Sequence, residues 1–227
     1  MFFLECTNLA KFFGKTKVFR GLNFRFEGAL CVGIQGANGS GKSTLMKCLS
    51  GLLRPSEGEI QWLCHGEPIS TQSIRHFLGF AAPYIHLYHE LSVSENLSFI
   101  KRLRPFMAQA SLPTKPPTLQ EILEMTSLSG IENRDFGLLS SGQQQRVRLA
   151  SALIADPPIL MLDEPGTNLD AEGIALVAEL VARQIKRGGM VFLSSNREDE
   201  LALSSTRIVL SSLQQHKPEI ASTSQNK

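Results

Sequence analysis

The run Gly36, Ala37, Asn38, Gly39, Ser40, Gly41, Lys42, Ser43, Thr44 fits the spacing G-x-x-x-x-G-K-[ST]. Each residue type in it answers a requirement of phosphate binding. Glycine has no Cβ, so the main chain can wrap closely around oxygen atoms. Successive amide N–H groups then converge as an anion nest. A helix opening at the end of the loop adds its positive dipole end, worth about 0.3–1 kcal/mol in exposed settings. Lys42 brings a full charge to the outer phosphates, and the Ser43 hydroxyl suits Mg²⁺. The bland alternative is a Gly-rich turn with an incidental lysine. The buried-strand pattern at residues 29–34 and the helical pattern after Lys42 favour phosphate.

A second pair of residues can act on the same ligand. Asp163 and Glu164 follow the apolar run 159–162. Carboxylates at the carboxyl end of a buried strand stand where open α/β sheets bind ligands. Asp163 suits a holder of Mg²⁺ through water. Glu164 suits a general base, or a group that orients the attacking water. The alternative, a solvated strand end turning at Pro165, leaves two charges abutting four apolar residues without a reason.

These groups need elements to position them. Strand patterns cover residues 2–6, 17–26 and 29–34, and Leu22, Phe24 and Phe26 alternate with polar residues. The spacing predicts a helix over 43–53, punctuated by Pro55 and Gly58, then a strand over 58–63. Residues 92–104 are helical, with Ser92 at the N-cap and Glu95 in capping-box position. A Pro-rich connector over 110–117 leads to a short helix at 119–128. Further helices are predicted over 141–155 and 171–189, and strands over 159–162, 190–195 and 207–211. Strands alternating with helices imply an α/β domain with a mainly parallel sheet and right-handed crossovers. It should span residues 1–210 as one domain, with a helical subdomain at about 84–141 and a polar, frayed tail at 211–227.

Composition narrows the function classes. A length of 227 residues suits one sizeable core. A net charge of +2 argues against a nonspecific grip on nucleic acid. Cys6, Cys31, Cys48 and Cys64 are scattered, as in a reduced, cytosolic core. The apolar part of the first residues is too short for a secretory signal, and no run is long enough to cross a bilayer. Attachment to a membrane would therefore come through a partner.

Leu139-Ser140-Ser141-Gly142-Gln143, lying between the two sites, resembles the LSGGQ signature of the ATP-binding cassette (ABC) ATPases, with one Gly replaced by Ser. The order and spacing of all three motifs also resemble that family, across nearly everything from Leu4 to about Leu210. The resemblance implies a P-loop NTPase fold of the ABC type, with an antiparallel β-subdomain and a helical subdomain. It implies binding and hydrolysis of ATP with Mg²⁺, in a homodimer or paired cassette that sandwiches ATP at its interface. Ser140, Gly142 and Gln143 would meet the γ-phosphate held by the opposite subunit. A Ser cap on a structural helix fits the local sequence equally well. Thr167-Asn168-Leu169-Asp170 resembles the D-loop, with Asp170 as its dimer-contact acid. Phe13 matches the aromatic that stacks on adenine, and core packing remains an alternative for it.

Two positions depart from the family pattern. Pro83 stands where a Gln usually ends a strand, and it offers neither a side-chain oxygen nor an N–H. The Gln-type contact to the metal is thereby lost. Asn196 stands at the switch histidine; its amide can donate to a γ-phosphate but cannot become cationic. With Lys42 and Glu164 retained, hydrolysis is expected to survive at a reduced rate. Ser-Asn at the switch and Ala-Pro-Tyr near the Gln position look like small bacterial heme-exporter or cytochrome c maturation cassettes.

The resemblance favours the ATPase subunit of a transporter, peripheral at the cytoplasmic face through a separate membrane-spanning permease. A soluble cassette for DNA repair, translation or iron–sulfur assembly would show tandem domains, heptads or basic arms, and the sequence has none. A nonhydrolysing ATP sensor is the third reading, motivated by Pro83 and Asn196 and opposed by Glu164. The surface around residues 84–88 is the candidate docking site for the permease. His86 and His89 are read as solvated or packed, and Lys101, Arg102 and Arg104 as a solvated helix face.

Overall fold

A computed structural model describes residues 1–103 and 116–210, together with the main chain of 220–222. Two sheets organise it. The first is antiparallel, in the order β2-β1-β4-β5, formed by β1 (Phe2–Phe13), β2 (Thr16–Glu27), β4 (Glu57–Cys64) and β5 (Glu67–Ile69). The second runs β10-β9-β3-β8-β7-β6. Its members are β3 (Cys31–Gln35), β6 (Leu78–Ala81), β7 (Ile159–Asp163), β8 (Met190–Ser195), β9 (Thr206–Val209) and β10 (Ile220–Ser222). All its neighbours pair in parallel except β10, which runs antiparallel to β9. Within the expected polar tail at 211–227, the main chain of 220–222 pairs with β9; the rest of it lies outside the described residues.

The parallel strands read as continuous apolar runs because both of their faces are covered. Ile159, Met161, Met190 and Phe192 face the aromatic-rich core shared with the antiparallel sheet and with α1 (Lys42–Leu49). Leu160, Leu162, Val191 and Leu193 face the opposite core, beside α4 (Ser141–Leu153) and α5 (Ala171–Lys186). At the centre of the first core, Phe192 meets Trp62 and Phe26 edge-on at 5.8 and 6.2 Å. Each such pair adds about 0.5–1.5 kcal/mol beyond its buried area.

Between β6 and α4 the chain forms α2 (Val93–Leu103) and α3 (Leu119–Met125). Ser92 and Glu95 make the expected reciprocal cap, and Thr118 and Glu121 make another at α3. Asn96 is buried and bonds the main chain at Tyr88, Leu91 and Ser92, which fixes the loop ahead of α2. Arg104 and most of the expected Pro-rich connector lie outside the described residues. The first helix stops at Leu49 rather than continuing to residue 53, and β5 and the short α6 (Glu198–Leu201) are additions to the expected elements. α4 lies so close to β6 that a Cβ at Gly79 would collide with the Ala152 carbonyl.

Candidate functional site

Strand register creates the site. β3, β8 and β7 are adjacent and parallel, with Gln35 opposite Ser195 and Ser194 opposite Asp163. Their carboxyl ends are therefore level. The residues that follow them are the Gly36–Thr44 loop, Asn196 and Glu164, which are far apart in sequence and converge on one cleft of about 720 Å³. Asn38, Gly39, Gly41, Lys42, Ser43 and Thr44 line it on one side. Glu164, the 166–169 turn, Asn196 and Pro83 line the other.

The loop is already shaped for an anion. Gly39 and Gly41 have φ of +79° and +101°, a region that favours glycine, and a Cβ at Gly41 would collide with Val18. The Ser40 amide donates to the Ala37 carbonyl at 3.0 Å, and the amide of Leu45 to Gly41 at 2.8 Å. Gly36 packs on the buried Ser40 hydroxyl. Lys42 is only 6% exposed; its Nζ donates to the carbonyl of Gly36 at 2.8 Å and that of Ala37 at 3.4 Å. It also lies 3.4 Å from Glu164 Oε1. The ammonium thus spans the loop and the Glu164 carboxylate.

Glu164 occupies the left-handed region, with φ +50°. For a residue with a Cβ that conformation costs roughly 1–2 kcal/mol. Two main-chain bonds hold it there, from its own amide to Ser194 O at 2.8 Å and from Thr167 to its carbonyl at 3.2 Å. Gln145 of α4 braces the following turn through Nε2 to the Pro165 carbonyl at 2.9 Å. Asp163 is 1% exposed, and neither of its oxygens has a hydrogen-bond partner. The buried Tyr84 hydroxyl also lacks a regular hydrogen bond and has Asp163 as its electrostatic neighbour. Burial, reinforced by that carboxylate, pushes the phenol above its usual range, so it stays protonated and able to donate.

Asn196 reaches across the cleft, where its Nδ2 donates to Asn38 Oδ1 at 3.1 Å. Phe13 stands at the end of β1 and is 52% exposed, which removes the core-packing alternative; Lys11 Nζ lies 5.0 Å from its ring centroid. Ser140 and Gln143 cap α4 reciprocally: Ser140 Oγ accepts from the Gln143 amide at 3.2 Å and Gln143 Oε1 from the Ser140 amide at 3.1 Å. Gly142 abuts the carbonyl of Asn168, which puts the signature just beyond the 166–169 turn, outside the cleft's own lining. Asp170 caps α5 by accepting from Gly173 N at 2.8 Å and lies 3.4 Å from Arg146.

Sequence reasoning missed Tyr84 as part of the site, and also Gln145, Val18 and Arg197, the last two of which line the cleft. Only the position of Tyr84 beside Pro83 could have signalled it. The surface expected around 84–88 is divided: Tyr84 turns inward, while Ile85, His86, Leu87 and Tyr88 join Phe80 and Phe99 along a groove of about 400 Å³. His89 packs edge-on against Phe136 at 5.5 Å. Cys6, Cys31 and Cys48 are buried free thiols.

The donor set fits a hard cation. Asp163 offers two unpartnered buried oxygens, and Ser43 offers a hydroxyl at the edge of the phosphate loop. Together, a phosphate-wrapping loop, its buried lysine and acids at the end of β7, one strand beyond the neighbour of β3, define a P-loop nucleoside triphosphatase.

The comparisons with known proteins make the class narrower. The ABC transporter family model matches residues 19–167. The chain is 34% identical to the cytochrome c biogenesis ATP-binding export protein CcmA of Nitrosospira multiformis, over 88% of this chain and 94% of the relative. A part of the cbiONQ ABC transporter complex from Clostridium perfringens superposes with a TM-score of 0.71 at 26% identity, over 91% of this chain and 84% of that one. A dimeric bacterial ABC transporter cassette superposes at 0.77 over 96% and 98%, and at 23% identity it speaks for the fold alone. The chain belongs to the ABC transporter family, as an ATP-binding, ATP-hydrolysing cassette.

Proposed function

We propose that the chain works as one of two paired cassettes that drive a separate membrane permease from its cytoplasmic face, with Mg²⁺ as the cofactor of ATP. The observation that carries this reading is the convergence of Lys42, Ser43, Glu164 and Asn196 on one cleft, with Asp163 buried next to Glu164 and the signature segment outside the lining. A segment so placed can cover the nucleotide of a second copy but not its own. In that arrangement Ser140 and Gln143 would exchange their mutual cap for the partner's γ-phosphate, which Gly142 would also meet, Asp170 would contact the partner, and Phe13 would stack on adenine. No described helix is long and apolar enough to cross a membrane.

Ser43 and Asp163 would hold Mg²⁺, which when bound neutralises charge on the phosphates. Glu164 accepts a proton from the attacking water as its oxygen bonds to the γ-phosphorus. The bond to the β–γ bridging oxygen breaks, releasing ADP and phosphate. Lys42 and the loop amides hold the charge that develops, and Asn196 donates to the γ-phosphate. The names of the CcmA relatives and the Ala-Pro-Tyr and Ser-Asn segments support an export cassette of the cytochrome c biogenesis type.

Glu164→Gln tests the reading. We expect turnover to fall by on the order of 10²-fold or more, while ATP binding persists and a nucleotide-dependent dimer accumulates on gel filtration. A variant that hydrolyses ATP at the wild-type rate, or wild-type protein that never pairs with ATP present, overturns it.

A further inference from the structure

The segment following β6 touches two places at once. Pro83 lines the nucleotide cleft, while Phe80, Ile85, Leu87 and Tyr88 line the apolar groove on the outer surface. Tyr84 sits between them and points inward, and three contacts hold it. Lys47, on the helix that carries Lys42, places its Nζ 3.9 Å from the Tyr84 ring centroid. The Phe80 ring lies 6.1 Å away. On the main-chain side, Arg148 of α4 donates through Nε to the Ile85 carbonyl at 3.1 Å. The ring thus rests on the phosphate-loop helix and on β6, and the residue after it is tied to the signature helix.

This clamping delivers the hydroxyl to Asp163. Parallel pairing puts Ala81 opposite Leu162, so the residues after β6 emerge beside the end of β7. The buried hydroxyl and both buried carboxylate oxygens are without regular hydrogen bonds. Buried polar groups in native proteins are rarely left so. Two orphans facing each other mark a place completed by a small shift or by a third, shared group such as a cation's water. The neighbouring Pro83 supplies no polar side-chain atom there.

We propose that Tyr84 is a positioning residue for the cation site: its hydroxyl orients the Asp163 carboxylate, beside a Pro83 that has no polar side-chain atom to contribute. This rests on the reading of Asp163 as a holder of Mg²⁺. Tyr84→Phe removes one oxygen and keeps the ring on Lys47 and Phe80. The test measures the Kd of a non-hydrolysable ATP analogue by calorimetry with excess Mg²⁺ and again with EDTA, alongside hydrolysis as a function of Mg²⁺ concentration. We expect the EDTA affinity of the variant to stay within about twofold of wild type. The tightening produced by Mg²⁺ should shrink about tenfold, the size of one hydrogen bond to a charged group, and half-saturating Mg²⁺ should rise by a similar factor. Pro83→Gln placed in the Tyr84→Phe background should recover part of that loss, because the amide restores a polar group at the adjacent position. If Tyr84→Phe matches wild type under both conditions, or weakens binding equally with and without Mg²⁺, the assignment is overturned. Wild-type protein that binds the analogue identically with Mg²⁺ and with EDTA defeats the underlying reading of Asp163 and the assignment with it.

Discussion

Asp163→Asn should make the nucleotide-free protein more stable while disabling its response to Mg²⁺. The side chain is 1% exposed and both oxygens lack hydrogen bonds. An unsatisfied buried polar group costs about 1–3 kcal/mol, and more when charged. Asparagine has nearly the same shape, so the exchange leaves no cavity, and its neutral amide sheds the charge. We therefore expect a gain of roughly 1–3 kcal/mol without ligand. For domains of 150–250 residues, about 2–4 °C per kcal/mol converts this to a Tm rise of roughly 2–12 °C in EDTA. Adding ATP with Mg²⁺ should narrow the difference. At a ligand concentration of 100 Kd the wild type gains about 2.7 kcal/mol, and the variant should gain little more from Mg²⁺-ATP than from ATP in EDTA. Thermal unfolding followed by circular dichroism in the three conditions reads both effects. An Asn variant that melts below wild type in EDTA means that the Tyr84 hydroxyl already offsets the cost of the buried carboxylate without a cation. A variant that keeps the full Mg²⁺-dependent shift means that Asp163 does not serve the cation. Either result refutes the argument.

Asn196→Ala removes the 3.1 Å bond to Asn38 and the donor to the γ-phosphate; kcat should fall by about tenfold, the scale of one such bond, with ATP affinity within a few-fold by calorimetry. Phe99→Glu puts a charge into the apolar groove beside Tyr88, whose ring is 5.3 Å away, at a position already 39% exposed. Basal ATPase activity and Tm should be unchanged, whereas co-purification with a membrane partner should be lost; equal loss of both activities counts against docking at this groove.

Much of the site was legible in the chain because its chemistry is local. Phosphate binding needs glycines, a lysine and a hydroxyl at fixed offsets, so residues 36–44 declare it without any tertiary information. The apolar runs at 159–162 and 190–195 were equally readable, since a strand covered on both faces needs apolar residues at every position. The resemblance of Leu139–Gln143 to a family signature supplied the partner relationship that no local pattern contains.

What folding added depends on contacts between distant segments. Strand order places β8 between β3 and β7, and so brings Asn196 to Asn38 across 158 positions of sequence. The left-handed conformation of Glu164 is imposed by bonds to Ser194 and Thr167, against the residue's own preference. The inward turn of Tyr84 follows from Lys47, Phe80 and the Arg148–Ile85 bond, drawn from three separate elements. A one-dimensional pattern records which residues want to be buried. Which buried oxygens end up facing one another is a property of packing, and in this protein the proposed cation site depends on that property.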